Sequence, residues 1–148
     1  MAQAVMATDI ASHPIVGAAR GWIGTPYQHQ ASLKGVACDC LGLLRGVWRE
    51  LYGREPEDMP PYAPDWAEGS GAETLRDGLA RHLAFAQGAA PGDIVLFRMA
   101  RSGPAKHCGI VAMQDGGLTL IHARQNKRVS EEMFGPFWRA RLAYIFRI

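Results

Sequence analysis

Cys38, Asp39 and Cys40 stand together in the first third of a 148-residue chain, and His107, Cys108 and His122 follow in its second half. A thiol and an imidazole together can perform acyl transfer, the thiolate attacking a carbonyl carbon while the imidazole carries the proton. The residues around Cys40 predict that it opens a helix. Backbone N–H groups and the positive dipole end at that place favour a thiolate and can receive an oxyanion. The competing reading makes Cys40 a small buried apolar residue, the commonest fate of a free cysteine. Another gathers Cys38, Cys40, His107, Cys108 and His122 around zinc. Cys38 and Cys40 are closer than the usual C-x2–4-C spacing, however, and residues 107 and 108 point to opposite faces of a strand.

The elements that must position these residues are legible in hydrophobic period. Ser12 or His13 can cap a first helix with Pro14 in its opening turn, and Ile15, Ala19, Trp22 and Ile23 fall on one helical face. Gly24 and Pro26 stop it, and a loop runs from Thr25 to Asp39. A second helix is expected from Cys40 to Tyr52, with Leu41, Leu44, Trp48 and Leu51 as its stripe and Gly53 after its end. Residues 54–71 hold Pro56, Pro60, Pro61 and Pro64 and read as a surface excursion. A third helix is expected over 72–86 on Leu75, Leu79 and Leu83.

Then the period changes to that of strands, at 92–99, 107–113, 118–124, 127–133 and 142–148. Asp115-Gly116 is a two-residue hairpin signal. Counting outward from that turn pairs Met113 with Leu118, Gly109 with His122 and His107 with Arg124. His107 and His122 then become diagonal neighbours on one sheet face, so that one imidazole can act as base and the other can hold it. Helices followed by an antiparallel sheet describe an α+β domain, expected to occupy 1–148 as one unit.

Composition bounds the function. The chain is 48% hydrophobic and 20% charged, which suits a packed core and excludes a disordered chain. Its net charge of +2 arises from intermixed basic and acidic residues, so nucleic acid is not an expected partner. No apolar run approaches the ~18 residues of a membrane span. Three cysteines do not close a disulfide framework, and free thiols are expected. The opening MAQAVMATDIASHPIVGAARGW has no charged segment followed by an apolar one, so an ordinary secretory signal is not expected.

The run GTPYQHQASLKGVACDCLGLLRGVW resembles the nucleophile region of NlpC/P60 cysteine peptidases, in which G-x-P-Y precedes D-C-S-G at a helix start. GDIVLF, KHCGIV and LIHA resemble three later strands of that family, in family order. CDCLGLLRGVWRELYG further resembles the cell-wall peptidases of phage and gene-transfer-agent tail modules. The resemblance implies a papain-like fold with N-terminal helices on an antiparallel sheet, and no cofactor or metal. It implies Cys40 as nucleophile, His107 as base and His122 as the residue orienting the base. Tyr27 and Asp39 become substrate-binding. Leu41 stands where the family has Ser, Cys108 where it has Val, and Lys106 where a small polar residue is usual. The implied reaction is cleavage of peptidoglycan stem peptides after D-glutamate. The enzyme would be made in the cytoplasm and carried to a cell wall on a tail particle. Tail-tip or hub proteins are then the expected partners, with Tyr62, Trp66 and the proline-rich excursion as docking candidates. The alternatives are a zinc-binding module and a catalytically silent structural tail component.

Overall fold

A computed structural model describes residues 13–57 and 73–148. The elements are α1 (Pro14–Arg20), β1 (Ser32–Leu33), β2 (Ala37–Cys38), α2 (Cys40–Tyr52), α3 (Thr74–Ala80), β3 (Ala84–Phe85), β4 (Ile94–Phe97), β5 (His107–Gln114), β6 (Gly117–His122), β7 (Ser130–Met133), α4 (Pro136–Arg141) and β8 (Leu142–Arg147). β1 and β2 form a small hairpin. The other strands make one antiparallel sheet in the order β3-β8-β4-β5-β6-β7.

Strand alternation gives this sheet two apolar faces. On one, Leu96, Ile110, Ala112 and Ile121 pack with the apolar residues of α1 and α2. On the other, Val95, Phe97, Val111 and Leu120 pack with Phe134 and Trp138, the latter from α4. The hairpin turn is as expected: Asp115 and Gly116 have φ of 51° and 80°, and Met113 pairs with Leu118.

His13 accepts the N–H of Ile15 at 3.3 Å and so caps α1. The helix is shorter than its apolar pattern suggests and stops at Arg20, so Ile23 leaves the expected buried face and is 46% exposed. Trp22 turns inward instead and packs against Gly46 of α2, where a β-carbon would collide with its ring. α2 is accordingly buried on two sides, Leu43 and Val47 joining the expected Leu41 and Leu44. The expected helix over 72–86 is also cut short. α3 ends at Ala80, Leu83 turns into the core, and Ala84–Phe85 pairs with β8, because the sheet offers those two residues ladder hydrogen bonds. Tyr62, Trp66, Pro60, Pro61 and Pro64 lie outside the described residues.

Two glycine substitutions should therefore move stability in opposite directions. Gly46→Ala pushes a methyl into the Trp22 ring and is expected to cost about 1–3 kcal/mol. Gly17→Ala, in mid-α1 with nothing within 4 Å of the new methyl, is expected to gain roughly 0.5–1 kcal/mol. Urea denaturation of both variants checks the pair.

Candidate active site

The start of α2 is built around Asp39. Its backbone is extended and its carboxylate points inward, leaving the residue 3% exposed. One oxygen accepts the N–H of Gly42 at 2.6 Å, and the other accepts the N–H of Gln30 at 2.7 Å. Gln30 has a φ of 65°, a left-handed conformation uncommon for a residue with a side chain. One carboxylate therefore caps the helix and holds the strained turn of the preceding loop. Gly42 makes room for the arrangement, since a β-carbon there would strike the Ala31 carbonyl. Ser32 donates to the Gly42 carbonyl at 2.6 Å and binds the β1–β2 hairpin to the same turn.

Cys40 follows the cap as the first residue of α2. The N–H groups of Cys40 and Leu41 have no partner within the helix and lie at its positive end. The Cys40 thiol is 3.7 Å from the Lys106 carbonyl, just before β5. Cys108 reaches across from β5 and donates its S–H to the Cys40 carbonyl at 3.2 Å. Cys40 titrates well below the ordinary thiol value. The largest cause is the Cys108 S–H, which serves the Cys40 sulfur in place of its carbonyl once that sulfur is ionised; burial opposes it, and the hydrogen bond and charge of His107 add to it. Cys108 moves the other way, because its hydrogen bond to Cys40 and its burial both favour the protonated form. Cys38 is fully buried and is pushed up to about 12 by that burial and by Asp39, so its sulfur is not a nucleophile near neutral pH.

The two histidines meet as the hairpin register requires. The β5–β6 ladder reaches Ile110 and Ile121, the pair next to Gly109 and His122, and His107 Nε2 lies 2.8 Å from His122 Nδ1. Gly109 leaves room beside His122, since a β-carbon there would press on Leu120 and His122. His122 is fully buried, and burial, followed by the charge of His107, lowers its pKa to about 4 against a pull upward from Glu132. Its Nε2 lies 3.0 Å from Glu132 Oε2 on β7. Trp138 of α4 donates its indole N–H to Glu132 Oε1 at 2.8 Å and stands edge-on to His122, ring centres 4.7 Å apart.

Neither Glu132 nor Trp138 was expected in the site. The alternation of residues 127–133 marks a strand, but the long connection before it hides which residue faces His122. Pro136 at a helix start followed by an aromatic pair was the only signal for α4.

These groups border an open cleft of about 690 Å³. Tyr27, His29, Asp39 and Cys40 line one side; Lys106, His107, Arg124 and Trp138 line another. The loop at 99–104 closes a third, held from behind by Glu73, which accepts the Ala105 N–H at 2.9 Å and pairs with Arg98. Burial, with Cys40 and Asp39 nearby, raises the Tyr27 pKa to about 12, so its hydroxyl keeps its proton. Among the described residues, no three His, Cys, Asp or Glu side chains are placed to hold a metal ion. Among them too, no helix is long and apolar enough to cross a membrane.

No family model matches the sequence, and no curated protein matches it. Solved structures do. The NlpC/p60 domain of the peptidoglycan hydrolase SagA superposes with a TM-score of 0.59 at 24% identity, over 91% of this chain and 97% of that one. An NlpC/P60 family protein from Bacillus cereus gives 0.62 at 16% identity, over 92% of this chain and 39% of that one. NlpC2 from Trichomonas vaginalis gives 0.61 at 20%, over 90% and 45%. The chain thus spans nearly all of the SagA domain and less than half of the other two. It has the NlpC/P60 fold, the papain-like α+β arrangement that the sequence motifs imply.

Alkylation separates the three thiols. Iodoacetamide is expected to label Cys40 first, and Cys40→Ala should abolish that fast reaction, whereas Cys38→Ala should preserve it. Cys108→Val, which removes a donor, should move the alkylation profile of Cys40 to higher pH, and Cys108→Ser should move it less.

Acid should expose the burial of His122. Its folded pKa lies below its ordinary value of 6.5, so the unfolded chain binds the extra proton. Stability should then fall as pH drops below about 6.5, with the loss complete near 4 and worth about 3 kcal/mol. Comparing the unfolding free energy of wild type and His122→Gln across that window checks it, because the glutamine variant lacks this contribution.

Proposed function

We propose that this chain is a cysteine endopeptidase that cuts peptidoglycan stem peptides at the bond following D-glutamate. The observation that carries the reading is the line from Cys40, at a helix start, through His107 to His122, set in a cleft of the NlpC/P60 fold. The named activity of the SagA hydrolase supports it as an analogy of fold.

The chemistry follows from the groups present. The Cys40 thiolate attacks the carbonyl carbon, and the resulting oxyanion turns toward the N–H groups at the start of α2. His107 uses the ring nitrogen not engaged by His122 to hold the thiol proton, then gives it to the leaving amine as the C–N bond breaks. Water enters, loses a proton to the same nitrogen, and releases the thioester as a free acid. Tyr27 is assigned to the peptide on the nucleophile side, and Asp39 serves that side from behind, its buried carboxylate holding the loop and helix start that border the cleft. Lys106 and Arg124 on the facing side suit a substrate rich in carboxylates. We assign delivery to a tail particle of a phage or gene transfer agent, with tail-tip or hub proteins as partners.

Digestion of purified sacculi, with fragments identified by mass spectrometry, tests the substrate. The expected products end at D-glutamate, and Cys40→Ala should release none. Lys106→Glu should raise KM about tenfold, the worth of one ion pair of ~1.4 kcal/mol, with less effect on kcat. Intact sacculi after prolonged digestion by wild type would overturn the substrate, and absence of the chain from purified particles would overturn the delivery.

A further inference from the structure

We infer that Glu132, locked in place by Trp138, is a positioning residue that fixes the proton arrangement along the whole line of imidazoles; this rests on Cys40 and His107 acting as proposed above. Glu132 titrates below the ordinary carboxylate value: burial works to raise it, but hydrogen bonds from Trp138 and His122 outweigh that. It is therefore ionised and only accepts hydrogen bonds. Its Oε2 lies 3.0 Å from His122 Nε2, so that nitrogen carries the proton. A neutral His122 then has a bare Nδ1, and this atom lies 2.8 Å from His107 Nε2. His107 must donate there, and its own Nδ1 is left bare, the form a base needs beside a thiol.

The second oxygen explains why the carboxylate does not turn away. Oε1 accepts the indole N–H of Trp138 at 2.8 Å, while the same indole packs edge-on against His122. Strand pairing supplies the rest: Leu120 faces Glu132 across the β6–β7 ladder, which puts Glu132 on the sheet face that carries His122. Arg124, 3.9 Å from Glu132 and over the Trp138 ring, borders the pair on the solvent side. The charged and titratable groups around this line are thus Arg124 and Glu132 at its far end, and Cys40, Cys108, Lys106, Tyr27 and Asp39 at its near end. Once the thiol proton reaches His107, the positive charge is shared toward the anion on the far side of His122, which stabilises the thiolate–imidazolium pair.

The test uses readouts that need no peptidoglycan. In wild type with ¹⁵N-labelled histidine, NMR near neutral pH should show His122 protonated at Nε2 alone. Glu132→Ala should lose that single tautomer. It should also move the acid limb of Cys40 alkylation by iodoacetamide to higher pH and slow the reaction at pH 6 by roughly tenfold, the effect of about one pH unit. Glu132→Gln can still accept from His122 through its one oxygen, but it lacks the charge and turns its NH2 toward the Trp138 N–H. It should keep the tautomer and fall between wild type and Glu132→Ala in alkylation, provided that circular dichroism shows both variants folded. Trp138→Phe should weaken the tautomer preference without removing the anion. If Glu132→Gln, or a folded Glu132→Ala, keeps both the wild-type tautomer and the wild-type alkylation profile, the inference is overturned. Failure of wild type to cut sacculi while these signals respond as described would instead overturn the substrate reading and leave the positioning role standing.

Discussion

The Asp39 carboxylate is the constraint on which the site rests. It is a buried charge, and such a group is tolerable only when its oxygens are satisfied. Here two backbone N–H groups from separate stretches satisfy it, Gly42 in the first turn of α2 and Gln30 in the loop before it. The loop that carries Tyr27 is thereby fastened to the helix that carries Cys40. Both conditions of that fastening are steric: Gly42 must lack a side chain, and Gln30 must accept a left-handed backbone. The nucleophile's position is in this sense a product of backbone hydrogen bonding, with its own side chain contributing little to it.

The other half of the site depends on the sheet. α2 packs on one apolar face, and the histidines and Trp138 belong to the other. Thiol and imidazole meet because both lie at the same end of β5, Cys40 reaching Lys106 and Cys108, and His107 beginning the strand. Cys108, on the core side, supplies a donor to Cys40 from a place where an aliphatic residue would supply only bulk. The two sides of the sheet thus contribute different things, a stabilised thiolate from one and a held imidazole from the other.

Much of this was legible in the sequence because it is local. The α2 boundaries and the Asp115-Gly116 turn are decided by neighbouring residues, and the turn alone brings His107 and His122 together. What stayed hidden is decided at a distance. Ala84 and Phe85 look helical and become a strand because β8 is beside them. Ile23 continues an apolar stripe and is exposed because Trp22 takes the space against Gly46. Glu132 reads as an ordinary strand residue until the β6–β7 register is known, and no local signal supplies that register. Trp138 depends on the same long connection.

The sheet order has a consequence for how the molecule comes into being. β8 is the last described element to leave the ribosome, yet it lies between β3 and β4 rather than at an edge. Until it is inserted, β4 presents an unpaired row of N–H and C=O groups, and β3 has no partner among the described strands. α4, which carries Trp138, directly precedes it. Helices α1 and α2 can form while synthesis proceeds, but β4, which flanks the ladder that aligns the imidazoles, is paired on both sides only after residue 147 has emerged. The decisive step of assembly therefore waits for β8, and a chain that holds Cys40 and His107 without β8 lacks the completed sheet.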